Sequence, residues 1–115
     1  MKVIIAGGRD FSDYDLLRDK CDLLLSNLSG VEIVSGGAPG ADHLGERFAK
    51  EKGYLVKLFN AVWSLHGRSA GPVRNAQMAD FADCLIAFWD CKSKGTLSMI
   101  TLARSKGLKV RVIKY

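Results

Sequence analysis

Three short segments of the chain combine glycine with residues that can hold an anion. They are Gly7-Gly8-Arg9-Asp10, Ser35-Gly36-Gly37-Ala38-Pro39-Gly40-Ala41-Asp42 and Trp89-Asp90-Cys91-Lys92-Ser93-Lys94-Gly95-Thr96, and each follows an apolar, β-branched run. Glycine lets backbone N–H groups approach a phosphate closely, and a helix starting directly after the loop adds the positive end of its dipole. A single Gly-Gly pair is common in ordinary turns, but three such loops emerging at one sheet edge make a phosphate cradle. Arg9, Arg68 and Arg74 stand in or beside the glycine-rich stretches, and guanidinium groups match phosphate geometry in a way lysine does not. Asp42 is read either as a cap for the helix that follows or as an acceptor for a ribose hydroxyl, and Asp10 as a residue orienting Arg9. Trp63 and Trp89 are candidate platforms for a base, with Trp89 the stronger because it ends a strand at the ligand edge.

Several familiar chemistries are missing from the same sequence. No Gly-Lys-Ser/Thr follows the spacing of an ATPase phosphate loop, and Gly36-Gly37-x-x-Gly40 lacks the dinucleotide fingerprint, which disfavours an ATPase or a standard NAD dehydrogenase. His43 and His66 are the only histidines and have no further ligands at metal-binding spacing, so no metal is expected. No Gly-x-Ser-x-Gly elbow is present. Cys21, Cys84 and Cys91 are odd in number and form no CxxC pair, which argues against a disulfide framework and against zinc.

The elements that must position these loops follow from hydrophobic period. Apolar runs predict strands at Lys2 to Ala6, Val31 to Ser35, Tyr54 to Phe59, Asp83 to Phe88 and Leu108 to Ile113, all apolar enough to be buried on both faces. A helix is expected from Ser12, capped by a Ser12–Asp15 box, with Leu17, Cys21, Leu24 and Leu28 on one stripe and an end near Ser29-Gly30. A second runs from about Gly40 to Lys52 with Gly53 as its left-handed stop, and the last from about Thr96 to Lys106 with Gly107 in that role. Between strand three and the third helix, Asn60 to Val73 reads as a long connection carrying Trp63, His66 and Arg68, a length that in compact domains is usually functional or mobile. The expected fold is α/β, a three-layer Rossmann-like sandwich with a five-stranded parallel sheet, formed by residues 1–115 as one domain.

Composition agrees with one globular domain: 115 residues, 48% hydrophobic and 25% charged. No apolar run approaches the roughly 18 residues of a membrane-spanning helix, so a cytoplasmic protein without membrane partners is expected. The net charge of +5 is uneven. Lys92, Lys94, Arg104, Lys106, Lys109, Arg111 and Lys114 close the chain with no acid after Asp90, which makes nucleic acid a candidate partner.

Gly7-Gly8-Arg9-Asp10-Phe11, the Ser35-to-Asp42 segment, His66-Gly67-Arg68-Ser69-Ala70-Gly71-Pro72-Val73-Arg74-Asn75, and Ala87-Phe88-Trp89-Asp90 through Ser93-Lys94-Gly95-Thr96 together resemble the small YspA-like branch of the SLOG superfamily. The resemblance covers essentially the whole chain. It implies a Rossmann-like sheet and a nucleotide or nucleotide-derived ligand, as in the LOG phosphoribohydrolases and in domains proposed to sense NAD-derived or cyclic nucleotide signals. It also implies kinship with the DNA-processing protein A of natural transformation, and frequent homo-oligomers. The expected ligand contacts are Gly7, Gly8, Arg9, Asp10, Ser35, Gly36, Gly37, Ala38, Gly40, Ala41, Asp42, Arg68, Arg74, Asn75, Trp89, Asp90, Lys92, Ser93, Gly95 and Thr96.

Where the LOG motif Pro-Gly-Gly-x-Gly-Thr-x-x-Glu carries its glutamate, this chain has Met99, so the known catalytic carboxylate is absent. Cys91 stands where close relatives often have glycine. The leading expectation is a nucleotide-binding module, a sensor or a sequestering protein, with no required cofactor. The alternatives are an N-glycosidic-bond hydrolase using Asp10, Asp42 or Asp90, and a nucleic-acid-associated protein.

Overall fold

A computed structural model describes residues 1–115. The apolar runs form β1 (Lys2–Gly7), β2 (Glu32–Ser35), β3 (Leu55–Leu58), β4 (Cys84–Trp89) and β5 (Lys109–Lys114). Between them lie α1 (Tyr14–Leu25), α2 (Ala41–Lys52), the single turn α3 (Trp63–His66), a 3-10 turn at Gly67–Ser69, α4 (Ala70–Phe81) and α5 (Lys94–Ser105). All neighbouring strands are parallel, in the order β3-β2-β1-β4-β5. This is the expected three-layer Rossmann-like sandwich. The chain winds outward from β1 to β3 and then crosses back to β4, so the β1–β4 seam is the point where strand order reverses, and ligands of open α/β sheets bind at such a point.

Alternation along the central strands divides the core between the two faces of the sheet. Val3 and Ile5 pack with Leu17, Cys21 and Leu25 of α1 and Phe48 of α2, while Ile4, Leu85 and Ala87 pack with Met78 of α4 and Met99, Ile100 and Ala103 of α5. Each fully buried large aliphatic side chain contributes roughly 1.5–3 kcal/mol. No helix is long and apolar enough to cross a membrane.

Four local expectations are corrected. β3 and β5 are edge strands rather than strands buried on both faces. Leu55 is 74% exposed, and Lys109, Arg111 and Lys114 face solvent. The N-cap of α1 is Asp13, whose carboxylate accepts the Leu16 N–H at 3.1 Å, not Ser12 with Asp15. The buried stripe of α1 is Tyr14, Leu17, Cys21 and Leu25, because the helix stops at Leu25 and leaves Leu28 exposed. The connection from Asn60 to Val73 is not an open loop. It contains α3, the 3-10 turn and the start of α4, where Pro72 is the third residue. A proline is tolerated there because first-turn amides have no helical partner. This early start places Arg74 and Asn75 on a helix. The stops at Gly53 (φ 74°) and Gly107 (φ 81°) are left-handed as expected.

Candidate functional site

The β1–α1 loop and the start of α2 are joined through one carbonyl. Gly8 donates its N–H to the Phe88 carbonyl at 3.2 Å, and the Gly8 carbonyl accepts from both Phe11 and Ala41, each at 3.2 Å. Gly40 has φ +81°, and a Cβ there would stand 2.6 Å from the Arg9 carbonyl carbon. Only glycine fits both the dihedral and the space.

Most polar groups of the β2–α2 loop are directed inward. Buried Ser35 donates its hydroxyl to Glu46 at 2.6 Å and accepts the Gly37 N–H at 3.1 Å, while Ala38 N–H donates to Asp42 Oδ2 at 3.2 Å. The β4–α5 loop is organised by Asp90, whose Oδ1 accepts the Lys92 and Ser93 amides, both at 2.8 Å. Those two donors hold the Asp90 carboxyl below the usual range. Cys91, with φ 67°, is the one non-glycine residue in the left-handed region, a conformation that glycine adopts at less cost. Ser93 caps α5 by accepting the Thr96 N–H at 3.3 Å, and the Trp89 indole N–H donates to the Ser93 carbonyl at 3.0 Å.

These loops surround a cleft of about 450 Å³ at the carboxyl edge. It gathers Gly7, Gly8, Arg9, Asp10, Ala38, Asp42, Arg74, Asn75, Ser93, Gly95 and Thr96 from the expected contact set. Ser35, Gly36, Gly37, Gly40, Ala41, Trp89, Asp90 and Lys92 do not line it. Most of these shape the loops that do, through their hydrogen bonds and close approaches. Arg68 is exposed on the 3-10 turn, away from the lining. Ala6, Gly71, Pro72, Met78, Ser98 and Met99 also line the cleft and were not expected. Met99 is buried and lines the cleft.

Arg74 reaches from α4 to the β2–α2 loop. Its Nη1 donates to the Gly36 carbonyl at 2.6 Å and its Nε to Asn75 Oδ1 at 2.9 Å, leaving Nη2 without a protein partner. Gly36 makes this reach possible, because a Cβ there would lie 2.6 Å from Arg74 Nη1 and 2.8 Å from Asp42 Oδ2. Burial lowers the Arg74 pKa, with a further contribution from Arg9, while Asp42 opposes the shift. A guanidinium stays charged throughout.

Asp42 is 5% exposed, and burial pushes its carboxyl up to about 6 against the opposing pull of Ala38 N–H and Arg74. The amides of Arg9, Asp10 and Gly95 carry no intramolecular hydrogen bond. At the rim, the Tyr115 hydroxyl donates to Asp10 Oδ1 at 3.3 Å while its ring meets Phe11 edge-on at 4.7 Å. Nothing in a lone tyrosine so far along the chain signals that contact. There is no cluster of three or more His, Cys, Asp or Glu that could hold a metal ion.

The family model described as YspA, cpYpsA-related SLOG matches residues 1–66, the segment that builds β1 to α3 and both N-terminal glycine loops. The chain belongs to the YspA, cpYpsA-related SLOG family. This SLOG domain is also 34% identical over 116 residues to the gene 61 protein of Mycobacterium phage D29, covering 95% of this chain and 93% of the relative. Arg74 and the start of α5 lie beyond the segment matched by the family model. No solved structure matches the chain.

Proposed function

We propose that the cleft of this SLOG domain binds a nucleotide or a nucleotide-derived ligand, and that the protein acts as a sensor or sequestering module. The observation that carries this reading is Arg74, a half-buried guanidinium held across the cleft with one nitrogen unpaired. Around it stand a second arginine, Arg9, and the free amides of Arg9, Asp10 and Gly95. Oriented N–H groups at a helix start together with guanidinium form a phosphate site. A volume of about 450 Å³ falls within the ordinary range for small-ligand pockets, about 300–1,000 Å³. Membership of the SLOG family supports a nucleotide-related ligand. NAD-derived, ADP-ribose-like and cyclic nucleotides are the members of that class to try first.

A second reading, hydrolysis of an N-glycosidic bond, is favoured by Asp42 alone. A cleft carboxyl raised to about 6 is poised for proton transfer, although Met99 removes the carboxylate that the LOG enzymes use. Native mass spectrometry after incubation with mono-, di-, cyclic and NAD-derived nucleotides separates the two. The binding reading expects a retained, unaltered nucleotide. A free base with a ribose phosphate supports hydrolysis, and the absence of both adduct and product with every compound contradicts both readings.

A further inference from the structure

We infer that Asp42 is the residue through which the cleft reads a sugar hydroxyl, so that its ligand is a ribose phosphate rather than a deoxygenated or bare phosphate. The inference rests on the nucleotide reading and adds a substrate class to it. Asp42 is one of three buried polar or charged side chains, with Ser35 and Thr96, and the only charged one. Its Oδ2 accepts the Ala38 N–H at 3.2 Å, and no hydrogen bond reaches Oδ1. No fully enclosed side-chain oxygen or nitrogen lacks a partner. Oδ1 is therefore not fully enclosed, and the cleft that Asp42 lines is the space available to it.

The simpler uses of such a residue do not apply. Asp42 lies in the first turn of α2, but the helix has Gly40 as its N-cap and no side-chain capping bond. Nor does Asp42 form an ion pair, since its neighbour Arg74 directs Nη1 to the Gly36 carbonyl and Nε to Asn75.

What remains is an acceptor with a free lone pair beside a cationic anion site. An ionised carboxylate accepts hydrogen bonds and repels phosphate oxygens, so Asp42 Oδ1 requires a donor on the ligand. A molecule that places phosphate oxygens against Arg74 and the free amides, and a hydroxyl against Asp42, satisfies both groups at once. The ribose of a nucleotide carries both functions within a few bonds. The same arrangement disfavours a ligand lacking the hydroxyl, because the carboxylate would then lose its remaining water to the bound molecule without gaining a partner.

The test is an equilibrium titration of the intact protein with 5′-AMP, 5′-GMP, 5′-CMP and 5′-UMP and with their 2′,3′-dideoxy counterparts, repeated on D42N and D42A variants whose folding is verified by thermal melting. Removing both hydroxyls makes the result independent of which one Asp42 meets. The wild-type protein is expected to bind its preferred ribonucleotide at least about tenfold more tightly than the dideoxy form, with the difference narrowing to about twofold or less in D42A. Equal binding of the two forms by the wild type, or a preference that survives in folded D42A, overturns the role of Asp42 and leaves the nucleotide reading standing. No binding of any of these compounds, nor of NAD, ADP-ribose and cyclic nucleotides titrated in the same way, at millimolar concentration overturns the nucleotide reading itself, and the inference with it.

Discussion

The β2–α2 and β4–α5 loops flank the same cleft, each brings one aspartate, and they use it in opposite ways. Asp90 opens its loop and reaches forward to the amides of Lys92 and Ser93, which fold the turn and keep the carboxyl ionised. Asp42, in the first turn of α2, reaches back over the loop to Ala38, which leaves one oxygen without a protein partner. Burial then raises the Asp42 carboxyl to about 6, while Asp90 moves the other way. Position before or after the turn, rather than residue type, separates an aspartate whose carboxylate folds the turn from one that keeps an oxygen unpaired. Glycine divides in the same manner. Gly36 and Gly40 make room for Arg74 and for the neighbouring backbone, whereas Gly95 leaves a free amide at the start of α5.

Substitutions sharpen this contrast, and the largest effect is expected at Arg74. Arg74→Ala should weaken nucleotide binding by about 10- to 100-fold, the scale of a lost hydrogen bond to a charged group, as read by calorimetry. Arg74→Lys should recover little, because an ammonium cannot hold the Gly36 carbonyl and a phosphate in one plane. Gly36→Ala drives a methyl group against Arg74 and Asp42. A destabilisation of about 1–3 kcal/mol is expected in urea melts, together with weaker ligand binding.

The two aspartates also separate by pH. Asp42, with its folded pKa raised from 3.8 to about 6, favours the folded state while protonated. That stabilisation is fully present below the unfolded pKa and is lost as pH rises through about 6. The groups acting on it are Ala38 N–H, Arg74, Glu46 and His43. Asp42→Asn should therefore raise stability at pH 8 by on the order of 2 kcal/mol and change it little at pH 3. Asp90→Asn should do the reverse, lowering stability at neutral pH and not at low pH, since a depressed carboxyl contributes above its unfolded pKa and loses that contribution as pH falls. The smallest effect is expected for Cys91→Gly. It relieves a left-handed residue at φ 67° and should raise stability by less than about 1 kcal/mol without altering ligand affinity.

The sheet and its central strands were legible in the chain because β1 and β4 are apolar on both faces and each glycine stop follows a helical period. The edges were not, since Leu55 and Val56 look as apolar as Ile4 and Ile5, and only the strand order decides which are covered. Pro72 and the glycines around it concealed the start of α4, although a proline in a first turn is compatible with a helix. In the cleft, the glycine loops and Arg74 stood out by composition. Met78, Ser98 and Met99 did not, because they line it only through the way α4 and α5 sit against the β1–β4 seam. The division of labour between Asp42 and Asp90 depends on which amides each carboxylate meets, and spacing alone left both open.

The most direct test follows individual backbone amides by ¹⁵N–¹H NMR while a ribonucleotide is titrated into the wild-type protein. The account expects the largest shifts at Arg9, Asp10 and Gly95, whose amides are free, together with the Arg74 side chain. Gly37, Ala38, Lys92 and Ser93, whose amides are already bonded within their loops, should move least. Shifts concentrated along Lys109 to Lys114 and absent from Gly95 and Arg74 would contradict it, and would move the anion site from the cleft to the basic edge of the sheet.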